Sequence, residues 1–150
     1  MREKVAAFVV ATALATTNAG AFDARGADII GLRLGMTAAE ATAALGRQGF
    51  AVTRDHDALT ATTRDGQLDI RLDGEQLARI RYIFRAHEAG APESIAMSVL
   101  NRFGPPQQKK PMAWCLMTER EAACPQDVAS LTFFPETPAL VLQSARTPRP

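Results

Sequence analysis

Surplus charge is missing from this chain: 17 Lys and Arg stand against 16 Asp and Glu in 150 residues. A protein that holds DNA or RNA electrostatically needs a basic stripe, so a nucleic-acid partner is not expected. Cysteine is scarce, with two residues, which excludes a disulfide-dense miniprotein. Proline and glycine, 9 and 10 residues, are too few for a collagen or a linker, and 47% hydrophobic residues are too many for a disordered chain. Catalytic signatures are also lacking. There is no Gly-x-Ser-x-Gly, no Ser-x-x-Lys and no zinc-protease spacing around the two histidines. The expectation is a single non-enzymatic domain with no cofactor and no metal.

Long hydrophobic runs are absent too, and the one short run is informative. Met1-Arg2-Glu3-Lys4 is a net positive start, Val5 to Ala15 is almost unbroken apolar sequence, and Ala19-Gly20-Ala21 is a small-x-small cleavage site. Thr16, Thr17 and Asn18 end the run well short of the ~20 residues that cross a bilayer. Residues 1–21 therefore read as a signal peptide cleaved after Ala21, 22–145 as a single α+β domain and 146–150 as a flexible tail. Removing Arg2, Lys4 and Glu3 with the leader turns 17 basic against 16 acidic residues into 15 against 15. The mature chain, with no transmembrane segment, is expected in the periplasm, where any partner must be met through a local surface.

Export changes the reading of Cys115 and Cys124. In an oxidising compartment two thiols with no Cys-x-x-Cys spacing point to one structural disulfide, the alternative being free or regulatory thiols. Zinc would need two further ligands, which Trp114 to Gln126 do not offer.

Thr37-Ala38-Ala39-Glu40 fits a capping box, and the apolar spacing after it predicts a helix over Ala38–Arg47 stopped by Gly46 or Gly49. Before it, Ile29 to Gly35 suits a small strand or extended segment. After Phe50 the apolar period becomes two. A two-residue turn at Asp65-Gly66 would pair Leu59 with Leu72 and Ala61 with Ile70. A three-residue turn, Leu72-Asp73-Gly74, would bring the next apolar set, Ile80, Tyr82 and Phe84, to the same face and leave Asp69, Arg71, Arg79 and Arg81 in solvent. Pro92 and Gly104-Pro105-Pro106 bracket a second helix, Pro92–Phe103. Strands are predicted over Met112–Thr118, Val128–Phe134 and Ala139–Gln143. The order helix, strands, helix, strands predicts an α+β fold, a mainly antiparallel sheet with two helices on one face, readable as two α-β-β-β units.

Gly35-Met36-Thr37-x-x-Glu40 resembles the Gly-Met-Thr/Ser helix start of small exported bacterial proteins, among them the SmpA/OmlA (BamE-like) envelope-assembly lipoproteins and the β-lactamase-inhibitor-like fold. The resemblance covers about one helix. The lipid-attachment cysteine of the assembly lipoproteins is missing, and the Leu-Gly-x-Pro helix exit is not found after the first helix, although Phe103-Gly104-Pro105 after the second resembles it. The resemblance implies a small α+β module that binds other proteins at the cell envelope.

Candidate sites are few. Trp114, Phe133 and Phe134 could form an aromatic protein-binding patch, since one of two consecutive phenylalanines in a strand must point away from the other. Arg79, Arg81 and Arg85 could hold an anion, although Asp69 and Asp73 stand ready to offset them. Arg102, Lys109 and Lys110 suit the C-terminal end of the second helix electrostatically. Asp55-His56-Asp57 could serve a metal-dependent hydrolase, yet such a cluster between two strands also suits a solvated turn. His87-Glu88 in the loop before the second helix reads the same way. The leading expectation is a protein that binds a periplasmic or outer-membrane partner. The alternatives are a small-ligand carrier with a cleft between helix and sheet, and a hydrolase built on Asp55, His56 and Asp57.

Overall fold

The computed structural model describes residues 22–85, 89–116 and 123–145. The leader, its cleavage site, the tail and His87-Glu88 lie outside the described residues. Within them are helices α1 (Ala38–Arg47) and α2 (Pro92–Phe103) and strands β1 (Val52–Asp55), β2 (Ala58–Thr62), β3 (Gly66–Asp73), β4 (Gln76–Phe84), β5 (Gln108–Lys109), β6 (Met112–Cys115), β7 (Ser130–Phe134) and β8 (Ala139–Gln143). All eight strands join one antiparallel sheet in the order β1-β2-β3-β4-β8-β7-β6-β5. The protein is α+β.

Both helices occupy the stretches their sequence patterns predict. At the start of α1 the Thr37 hydroxyl accepts from the Glu40 N–H (3.2 Å), and the Glu40 carboxylate accepts from the Thr37 N–H (2.8 Å). The capping box is thus complete. Of the two candidate stops, Gly49 takes the left-handed conformation (φ 85°). Ala38, Ala41, Ala44 and Leu45 are buried, so this helix packs mainly methyl groups. Its start is tied to the sheet, since the Ala38 N–H donates to the Glu75 carbonyl and the Leu77 N–H to that of Met36.

One apolar cluster gathers these residues with Ile95 and Val99 of α2 and with alternate residues of the strands. The strand set follows the ladder: Leu59 faces Ile70, Ile70 faces Ile80, Ile80 faces Leu142, and Leu142 faces Leu131. Each such side chain removes apolar area from water at about 25 cal/mol per Å², so this row contributes to stability together with the rest of the cluster.

Both predicted hairpin turns are displaced. Arg64-Asp65, not Asp65-Gly66, form the β2–β3 turn, with the Thr63 N–H donating to the Gly66 carbonyl and Ala61 facing Leu68. Pairing slips by two residues, which leaves every side chain on its expected face. Gly66 is needed elsewhere: a Cβ there would lie 2.9 Å from the Tyr82 ring and collide with the Ile83 carbonyl. The β3–β4 turn is the two-residue Gly74-Glu75, with Gly74 left-handed (φ 60°). The parity change comes from a bulge, because Leu72 faces Leu77 while Arg71 faces Arg79, leaving Ala78 as the extra residue.

Other boundaries shift as well. The strand expected to reach Thr118 ends at Cys115, the next begins at Ser130 rather than Val128, and β5 is an additional two-residue edge strand. In place of a strand over Ile29 to Gly35 there is a tight turn, in which Ile29 and Leu32 exchange backbone hydrogen bonds around Ile30 and Gly31. No helix among the described residues is long and apolar enough to cross a membrane.

Candidate functional site

Side chains on the side of β2, β3 and β4 opposite the apolar cluster form a polar surface. Pairing puts Thr60 beside Asp69 and Asp69 beside Arg81, with Arg71 beside Arg79 in the next row. These residues line a shallow depression of about 300 Å³. Arg71 approaches Asp57 at 3.5 Å. Asp69 faces Arg81 in the ladder but accepts from the Gln67 amide (3.1 Å). Among the described residues, neither Arg79 nor Arg81 makes an ion pair. The offset by Asp69 and Asp73 that the sequence allows is therefore not made as direct contacts among the described residues, which leaves the Arg79 and Arg81 guanidiniums without an ion-pair partner there. Arg71 is a member of this cluster that the sequence left outside the candidate set. It was legible as a third cation in the same alternation.

Arg85 is exposed just past the end of β4, and its backbone N–H donates to the Asp65 carbonyl (2.7 Å). It does not line the depression.

The aromatic patch divides. Trp114 and Phe133 are completely buried, and the indole N–H of Trp114 donates to the Gly104 carbonyl (2.9 Å). Both project into the apolar cluster, because Trp114 faces Leu131 and Phe133 faces Leu140. A partner cannot reach them. Phe134, on the opposite side of β7, is 43% exposed. It faces Ala139, which in turn faces Ile83, so it stands on the same side of the sheet as Arg81.

Cys115 and Cys124 are joined, with Cα atoms 5.8 Å apart. Cys115 lies on that same side, as do Ala113, Ser130, Ala139 and Val141, and here all of them are buried. The Cys124 N–H donates to the Gln108 side chain (3.0 Å) and the Cys115 N–H to that of Gln107 (3.1 Å). The bond thereby anchors the β6–β7 connection beside the sheet. The two halves of this side differ: largely buried over β6 to β8 apart from Phe134, exposed and bearing three arginines over β2 to β4.

Asp55 ends β1 and His56-Asp57 make the β1–β2 turn, with His56 at positive φ (48°). The imidazole lies 2.6 Å from the Asp55 carboxylate, and both side chains are more than four-fifths exposed. No group of three metal-ligating side chains occurs among the described residues. Of the cluster at the end of α2, Arg102 is bound to Asp28 (2.9 Å), while Lys109 ends β5 and Lys110 lies in the β5–β6 turn.

No family model, curated protein or solved structure matches this chain. What it does is therefore read from these surfaces.

Proposed function

We propose that this chain is an exported, non-enzymatic periplasmic protein that binds another envelope protein through the exposed face of β2 to β4. The observation that carries the reading is the pair Arg79 and Arg81, which make no ion pair among the described residues on a face that also holds Arg71, with Phe134 on the same side of the sheet. An isolated surface cation gains little from folding, whereas two or three aligned on a rigid sheet suit an acidic partner and speed its association. An exposed aromatic nearby adds apolar area that a partner can cover. The Cys115–Cys124 bond supports an oxidising compartment, and the leader supports export to one.

The fold reading behind this has two helices on one face of the sheet, leaving the other for a partner. It is supported by the shared apolar cluster of α1 and α2. Each helix is followed by four strands, and the last strands of the two sets, β4 and β8, pair at the centre, which supports a duplicated unit. The helix start Gly35-Met36-Thr37 resembles envelope-assembly lipoproteins, in keeping with this role.

The test couples capture to charge. Tagged mature protein should retain a saturable partner from periplasmic extract, and the Arg79→Glu, Arg81→Glu double variant should lose it while keeping its thermal unfolding midpoint. Capture that is absent, or unchanged by the charge reversal, refutes this reading. N-terminal sequencing of protein from living cells should begin at Phe22.

A further inference from the structure

A second concavity lies on the other side of the sheet, between α2 and the strands, and its walls are more apolar than those of the cationic face. Its volume is about 320 Å³, and its walls include Ile30, Tyr82, Phe84, Ile95, Val99 and Leu140. That is near the lower end of the size range of small-molecule sites and too narrow for an element of secondary structure.

One wall is held rigidly. Ile30 sits at positive φ (46°), a conformation that a β-branched residue rarely adopts. Four hydrogen bonds, one within the turn and three from the two helices, hold it there. The Gln48 amide at the end of α1 donates to the Ile30 carbonyl (2.9 Å), the Gly31 N–H donates to Asp28 (2.8 Å), and Arg102 of α2 donates to the Asp28 carboxylate and carbonyl. Both helix ends thus lock the turn that closes the cleft, so the wall is in place before anything binds.

The polar groups decide the ligand's charge. Among the described residues, Asp65, Ser98 and Arg102 are the charged and hydroxyl-bearing side chains at the cleft besides the Tyr82 phenol. Arg102 is engaged by Asp28, the Tyr82 hydroxyl lies 2.6 Å from that of Thr63, and the Ser98 hydroxyl donates to the Ser94 carbonyl. Arg102 keeps N–H groups beyond the nitrogen that Asp28 takes, but Asp28 offsets its charge, so among the described lining residues the Asp65 carboxylate is the charge without an ion-pair partner, with further accepting capacity at Ser98. An anionic head would meet the Asp65 carboxylate with the one lining guanidinium already paired, whereas a ligand hydroxyl would find acceptors.

We infer that this cleft is a binding site for a small uncharged molecule with an apolar ring or branched body and a hydroxyl group. The body lies against Ile95, Val99 and Leu140, and the hydroxyl donates toward Asp65 or Ser98. The site is separate from the cationic face and stands whether or not that face binds a protein.

The test uses 1-naphthol and 1-naphthoate, which share a ring system and differ in charge at neutral pH. Calorimetric titration should show saturable one-to-one binding of 1-naphthol and binding of 1-naphthoate weaker by about tenfold or more. Ser98→Trp, which places an indole in the cleft from an exposed helix position, should weaken 1-naphthol by a similar factor. Met97→Trp, on α2 outside the lining, should leave it unchanged. In the unaltered protein, 1-naphthol should shift the methyl resonances of Ile29, Ile95 and Val99 and spare those of Leu59 and Leu68. The methyl experiment decides the matter alone if Ser98→Trp fails to fold. Absence of saturable binding, equal binding of the anion, an unaffected Ser98→Trp, or shifts away from the cleft would each overturn the assignment.

Discussion

The ring of Tyr82 lies against the backbone of Gly66, in the space that a side chain at position 66 would fill. Tyr82 also reaches over the β2–β3 turn, where its hydroxyl shares a buried hydrogen bond of 2.6 Å with Thr63, whose own Oγ donates to the Gly66 carbonyl. An absent side chain and a present ring thus fix the same hairpin. Gly66→Ala should destabilise the protein by about 1–3 kcal/mol through overpacking, read as a lower urea midpoint with an unchanged slope. Tyr82→Phe keeps the ring and leaves the Thr63 hydroxyl with its carbonyl partner, so it should cost about 1 kcal/mol. If Gly66→Ala is neutral, the approach of the Tyr82 ring and the Ile83 carbonyl does not require a glycine at this position.

The disulfide closes a loop with a sequence separation of 9. In the chain-entropy model this is worth about 2.5–3 kcal/mol, taken from the unfolded state. The Cys115→Ala, Cys124→Ala double variant should therefore unfold at lower denaturant, and reductant should move the wild type toward it while leaving the variant where it is. Thiol titration of denatured, unreduced protein should find no free sulfhydryl.

Asp28 links the N-terminal turn to α2, and its titration gives a pH signature. Partial burial works to raise its pKa, but the Gly31 N–H and the Arg102 guanidinium outweigh this and hold the carboxyl below its ordinary 3.8. A carboxyl with a depressed folded pKa contributes stability that is fully present above the unfolded value and lost as pH falls through the folded one. The Asp28→Asn variant should thus be less stable than wild type at neutral pH, and the gap should close on acidification below 3.8. With side chains 50% and 38% exposed, screening keeps the gap to about 1 kcal/mol or less. Urea midpoints across an acid pH series measure it; a gap that widens toward acid contradicts the assignment.

Thr37 caps α1 while the adjacent backbone is bonded to the β3–β4 turn. Thr37→Ala should cost about 1 kcal/mol and Thr37→Ser only a few tenths, in thermal or urea unfolding. Equal losses for the two would place the effect in the lost methyl group and not in the cap.

Local rules carried the reading furthest where the interaction is local. Both helices were legible because a capping box, a proline at a helix start and a left-handed glycine act within a few residues of themselves. The turns were less so. Asp65-Gly66 carries the strongest short hairpin signal in the chain, yet the glycine answers to Tyr82, sixteen positions along the chain. The Ala78 bulge performs the parity change that the alternation demanded of a loop. The candidate site was half legible: Arg79 and Arg81 follow from alternation in one strand, but alternation does not say which of two adjacent aromatics the core takes.

From its sequence alone, this chain has two amphipathic helical patterns, two-residue periodicity with most of the faces assigned, two cysteines suited to pairing and no surplus charge. Such properties depend on residue type and spacing, so any fold of this chain carries them. Tertiary structure decided which strands meet at β4 and β8, which aromatic residues are buried, that Arg79 and Arg81 stand without ion pairs among the described residues, and that two helix ends close a cleft over Ile30. Those outcomes depend on contacts between residues far apart in the chain, where many pairings satisfy the same local pattern and only the packed core selects among them.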